Sequence, residues 1–190
     1  MSLTIENWPE KDPPVFEGKA LGYRGWYANR LADRTIPKSL KALVVDTNWN
    51  PGLNKSYCFL SESERLNIGV DKHESPGAEC RCGMNAYNLF DEALVRTELD
   101  YALRGRPAFN PIVGSITGFG NLQLHENGWR SEYSEIIALY AFINTEPGWR
   151  LDVFKEVADR YEVPLFTDET EFVDYSESKA LLVPELELYI

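Results

Sequence analysis

Three cysteines and one of the two histidines fall between positions 58 and 82 of this 190-residue chain, in the order Cys58-x14-His73-x6-Cys80-x-Cys82. Thiolate sulfur and imidazole nitrogen are the ligands zinc prefers in structural sites, and four of them complete its tetrahedron without leaving a position for water. A metal held by this set would be structural rather than catalytic. Pro76, Gly77 and Gly83 supply the tight backbone that a metal knuckle needs. The single residue between Cys80 and Cys82 is fewer than the roughly two to four of most zinc knuckles, so the chain must turn sharply there. Two other readings of the same residues stay open: ordinary buried thiols with His73 in an exposed loop, and a strained, reducible Cys80–Cys82 disulfide with a redox role. The metal reading leads, because three cysteines cannot all pair within the chain and a reducing cytosol disfavours structural disulfides.

A second group is Arg24, His125, Arg130 and Glu132. On an extended strand Arg130 and Glu132 share the face opposite Trp129 and Tyr133, beside a turn that carries His125. Arginines beside a histidine and a carboxylate suit an anionic ligand or general acid–base work, whereas the plainer reading is a solvated polar face. No Gly-x-Ser-x-Gly elbow or His-Glu-x-x-His helix is present, which argues against the familiar hydrolase classes. The stretch "VGSITGFGN" has no Lys-Ser/Thr after it, so its glycines read as close strand packing rather than as a phosphate loop.

These residues need elements to hold them. Aromatic and β-branched runs at 20–30 and 41–47 read as strands, separated from the next segment by the Pro51-Gly52 turn. Apolar spacing predicts helices over 88–104, stopped by Gly105 and Pro107, and over 149–161, with Val153, Phe154, Val157, Ala158 and Tyr161 inward and a short strand after it. Between them, 112–142 reads as a hairpin turning at Asn127-Gly128. The expectation is a single α+β domain with a twisted, mainly antiparallel sheet of about five to seven strands, two main helices and a zinc knuckle. The hairpin interrupts any repeating strand–helix–strand order, which argues against a doubly wound nucleotide fold. Its expected extent is 16–166, preceded by an extended arm at 1–15 with Pro9, Pro13 and Pro14, and followed by an acidic segment at 167–190 whose "ELELYI" alternates like an edge strand.

Thirty acidic against nineteen basic side chains give a net charge of −11, a field that repels phosphate backbones and argues against direct nucleic-acid binding. No apolar run approaches the ~18–20 residues of a membrane span, and the start lacks the order of a secretory signal. The expected location is therefore cytoplasmic.

The segments "GYRGW" at 22–26, "WNPG" at 49–52, "YC" at 57–58, "HESPGAECRCGMNAY" at 73–87 and "VGSITGFGNLQLHENGWRSEY" at 113–133, in that order, resemble an uncharacterised family of actinobacteria and their phages. That family shows a Gly-x-Arg-x-Trp start, a Trp-x-Pro-Gly turn, a Cys…His…Cys-x-Cys-Gly core and a Gly-x-Arg-Ala-Glu segment. The likeness spans about residues 20–165, and the cysteine core is its most specific part. The chain departs from it at Ser131, Met84 and Asn85, which leaves the metal ligands intact. The resemblance implies a shared fold and a shared metal and transfers no activity. Together with the acidic composition and the lack of an assembled catalytic motif, it leads to a non-catalytic protein-binding module, a phage or mobile-element product acting on a host component. The competing expectation is an enzyme or small-ligand binder that uses Arg24, His125, Arg130 and Glu132.

Overall fold

A computed structural model describes residues 15–29, 39–43, 47–67, 69, 72–77, 80–104, 109–142 and 149–180. Three long strands make the frame: β1 (Val15–Asn29), β5 (Phe109–His125) and β6 (Gly128–Tyr140). Short strands β2 (Leu40–Ala42), β3 (Leu53–Lys55), β4 (Met84–Tyr87) and β7 (Leu165–Phe166) complete a seven-stranded sheet, antiparallel except where β7 runs parallel to β6. The helices described are α1 (Glu62–Asn67), α2 (Phe90–Arg104), α3 (Trp149–Tyr161) and α4 (Glu169–Ala180). The mixed α+β class, both long helices and the hairpin turning between His125 and Gly128 follow the sequence expectation.

The pairings run in a circuit. β1 pairs β5 from Val15↔Gln123 to Asn29↔Phe109, β5 pairs β6 up to His125↔Gly128, β6 pairs β4 from Ser131↔Met84 to Gly128↔Tyr87, and β4 returns to β1 at Tyr23↔Tyr87. Trp129 fills the space so enclosed. A Cβ at Gly118 would stand 2.3 Å from its ring and one at Gly22 2.7 Å from its Nε1, so both strands must be bare at those positions. The indole is satisfied as well as buried, because Nε1 donates to the Leu21 carbonyl at 2.9 Å. Around it lie Trp26, Ala86, Ile112, Ile116 and Leu122, with α3 adding Phe154, Val157, Ala158 and Tyr161 at helical spacing. Tyr161 ties α3 to the rest, accepting from the Leu40 amide at 3.0 Å and donating to the Trp49 carbonyl at 2.6 Å.

The other face is covered by α2 and α4. Tyr23, Val113, Ala138 and Tyr140 of the strands pack against Phe90 and Ala93 of α2 and Phe172 of α4. The buried face of α2 continues through Thr97 and Asp100, which accepts from the Tyr27 hydroxyl at 2.7 Å, while Val95, Leu99 and Leu103 stay exposed.

Several expectations need correction. Residues 169–180 of the acidic segment form α4; Phe172 is fully buried and Ser176 donates to Ser115 at 2.8 Å, so this helix packs on the sheet beyond the expected end of the domain at 166. The alternating 185–190 lies outside the described residues, as do positions 1–14 of the expected arm. Of the strand expected over 41–47, residues 44–46 lie outside the described residues; β2 covers Leu40–Ala42, where the Trp49 amide donates to the Leu40 carbonyl at 2.8 Å and the Ala42 amide to the Thr47 carbonyl at 2.9 Å.

Candidate metal centre

The segment from 53 to 60 extends β3 in an alternating pattern. Asn54, Ser56, Cys58 and Leu60 turn inward, whereas Leu53, Lys55, Tyr57 and Phe59 are exposed. Its inward side is fixed by polar bonds. The Ser56 amide donates to the Glu132 carbonyl at 2.8 Å, and its hydroxyl reaches Ser75 at 2.9 Å and the Ser131 carbonyl at 3.1 Å. Those bonds bring Cys58 to the loop that carries His73, Cys80 and Cys82.

One ligand atom from each of Cys58, His73, Cys80 and Cys82 lies within 4.8 Å of all the others. The Cys58 and Cys80 sulfurs are 3.7 Å apart, and His73 Nε2 is 3.2 Å from Cys82 Sγ. Zinc–sulfur bonds of ~2.3 Å at tetrahedral angles require sulfur–sulfur edges of about 3.8 Å, so the first of these spacings suits a shared ion. Both distances far exceed a bond between the atoms, and all three cysteines are free thiols. The four side chains thus lie close enough to hold a metal ion, and the Cys80–Cys82 disulfide is not formed.

The loop is shaped around these ligands. A Cβ at Gly77 would stand 2.2 Å from the His73 ring, so only glycine leaves room for the imidazole, and the Gly77 amide donates to Cys82 Sγ at 3.2 Å. Gly83 adopts φ of +117°, a conformation closed to other residues, and turns the chain directly after Cys82. That turn, with the Cys80 amide donating to Gly77 at 3.1 Å, is how a one-residue gap between two ligands is accommodated. Beneath both cysteines lies Arg130 of β6, only 1% exposed. Its Nη1 donates to the Cys80 carbonyl and, at 3.1 Å, to the Cys82 carbonyl. Burial pushes the Cys80 thiol up to about 12, so an ion must displace its proton in order to bind.

Of the second group, Arg130 and His125 meet: Arg130 Nε donates to His125 Nε2 at 3.1 Å. Burial, and then the Arg130 charge, lower the His125 pKa to about 4, so the ring is neutral and accepts. Glu132 is engaged elsewhere, paired with Lys55 at 3.5 Å and accepting from Asn121 at 3.3 Å. Arg24 donates to the backbone carbonyl and side-chain oxygen of Asn85 and stacks over Trp49 at 5.0 Å, with burial lowering its pKa to about 10. Of the four, these contacts join only Arg130 and His125.

Sequence reasoning missed the support of Gly77 and the role of Arg130. Gly77 was legible only as a turn residue. Arg130 shares a face with Glu132 on paper, but a bulge in the β5–β6 pairing between Phe119 and Leu122 and the loop lying over the strand set their surroundings apart. No protein-family model, curated protein or solved structure matches the chain.

Proposed function

We propose that this chain is a non-catalytic protein-binding module in which a structural zinc ion, held by Cys58, His73, Cys80 and Cys82, pins a recognition strip to the sheet. The observation that carries the reading is the alternation around Cys58: its neighbours Tyr57 and Phe59 are 73% and 60% exposed while Cys58 itself turns inward. Leu53 and Leu66, 57% and 72% exposed, extend the strip along the same stretch of chain. Apolar side chains concentrated in this way mark partner surfaces rather than ordinary exteriors. Helix α1 holds the far end through a capping box, the Ser61 amide donating to Glu64 at 2.8 Å and the Glu64 amide to the Ser61 hydroxyl at 3.3 Å.

Zinc is preferred because four closed ligands of the Cys3His type satisfy it fully, and a histidine ligand with so few thiolates argues against an iron–sulfur cluster. With every position taken by protein, the ion has no seat for a substrate. The strip is edged by acids: Glu62 and Glu64 on α1, and Glu135 opposite Leu53 in the β3–β6 register, are exposed. The partner it fits is a protein face with an apolar centre and basic side chains around it. The resemblance to an actinobacterial and actinophage family directs the search toward host components. The ligand-binding alternative has less support, since Arg24 and Glu132 are engaged with Asn85 and Lys55.

Cross-linked affinity capture from host lysate tests this with three baits: the wild-type protein, a Tyr57→Ser/Phe59→Ser variant, and chelated protein. The expected result is one stoichiometric protein partner, lost with the variant although it keeps its metal and its melting temperature, and lost again on chelation. Equal recovery with all three baits, or a stoichiometric metabolite in place of a protein, would overturn the reading.

A further inference from the structure

Among the described residues, the buried guanidinium of Arg130 has no carboxylate partner. Its hydrogen bonds go to two carbonyl oxygens and to a histidine, and its Nη2 has no acceptor among the described residues. Directly across the β5–β6 ladder is Gln123, fully buried and uncharged, whose Nε2 donates to the Pro76 carbonyl at 3.3 Å and whose Oε1 is likewise unmatched. Glu132, two residues along the strand, faces Lys55. A guanidinium withdrawn from water this far requires compensating negative charge, and neutral carbonyls supply only dipoles. Among the described residues, the guanidinium donates to the backbone carbonyls of Cys80 and Cys82, which places it beside two side chains able to become thiolates.

We propose that Arg130 is the built-in counter-charge of the metal centre, which makes the Cys58–His73–Cys80–Cys82 set specific for a divalent ion bound by three thiolates. A divalent cation and three thiolates sum to one negative charge, and the guanidinium beneath them brings the buried unit to neutrality. The same side chain clasps the two carbonyls that flank the Cys80–Cys82 turn, so it sets the ligand positions while it balances their charge. Its hold on His125 orients it, since a neutral ring accepts from Nε and leaves the far end of the guanidinium directed at the loop. A monovalent ion on the same ligands would leave a second negative charge uncompensated.

This inference rests on the metal reading above, and the test separates the two. Zinc affinity is measured by chelator competition for the wild-type protein, Arg130→Met, Arg130→Lys, Cys58→His, and the Arg130→Met/Cys58→His double variant. Replacing one thiolate by imidazole removes one negative charge. Arg130→Met is expected to lose about 10–100-fold in affinity, the size seen when support around a ligand is removed, and Arg130→Lys about tenfold less than that. In the Arg130→Met background Cys58→His should cost at least tenfold less than it does in the wild type, the sign of coupling that charge balance requires. A wild-type protein that takes no zinc removes the metal reading itself. A wild type that binds, combined with strict additivity or with equal losses for the Met and Lys variants, overturns the role of Arg130 alone.

Discussion

Trp129 and Arg130 are consecutive on β6 and both 1% exposed, yet they are buried by different means. Trp129 is enclosed by Gly22, Gly118 and Ala86, on three strands of one hydrogen-bonded circuit, and its single polar atom is satisfied by the Leu21 carbonyl. Arg130 is covered by a loop in which, among the described residues, Cys80 and Cys82 form a small separate cluster with Cys58 and Leu60. The inner side of β6 is thus held by apolar packing, whereas the outer side is held by scattered hydrogen bonds, Ser56 to Ser75 and to Ser131 and Arg130 to Cys80 and Cys82, around four side chains that lie close enough to hold an ion. One strand therefore joins an apolar core to a polar cover, which the proposed metal would close.

That difference is open to direct attack. Trp129→Ala should be the most damaging change, costing about 3–5 kcal/mol in denaturant melts whether metal is present or removed, because the cavity it leaves lies in the core. Cys82→Ser should act on the cover only. With metal added it should melt like chelated wild-type protein, and amide exchange should rise over 56–83 while β1 and β5 keep their protection. Gly77→Ala is a finer probe of the same region, since the new methyl would displace the His73 ring; a drop in zinc affinity of about 10–100-fold is expected with little change in the metal-free melt.

The smallest effect concerns His125, which lies between the two regions. Its folded pKa of about 4 is below the ordinary value, so the neutral ring contributes stability that is present above about pH 6.5 and is lost as pH falls from there toward 4. In metal-free protein, His125→Gln keeps an acceptor for Arg130 Nε and removes the titration. Its stability should fall less than that of the wild type between pH 7 and pH 5 in denaturant titrations, and parallel curves would show that the ring carries no such linkage.

The two regions also differ in how legible they were. Helix α3 could be read because five apolar positions repeat at helical spacing, whereas the Schellman turn that ends it, with Val163 donating to Ala158 at 3.1 Å and Glu162 to Asp159 at 3.2 Å, has a glutamate rather than a glycine at the positive-φ position and so gave no sequence signal. The hairpin followed from Asn127-Gly128. Helix α4 escaped because its buried side is thin: Phe172 is its one large buried apolar side chain, and Ser176 fills the next turn with a hydroxyl. The ligand set was visible as a count of cysteine and histidine, since sulfur and imidazole are scarce in this chain. What surrounds it was not, because Arg130 reaches Cys80 and Cys82 across about fifty positions of sequence, and Gly77 is required by the distance to a ring rather than by any local pattern. The exposed strip was hidden for a related reason. Tyr57, Cys58, Phe59 and Leu60 read as one apolar run until the fold turns alternate members outward.

The central claim is that the cover is closed by a metal, and native mass spectrometry of protein purified under reducing conditions without chelator tests it most directly. The account predicts one zinc ion per chain, with Cys58, Cys80 and Cys82 resisting alkylation until a chelator is added. A bare chain mass with all three thiols alkylating freely from the start would contradict it.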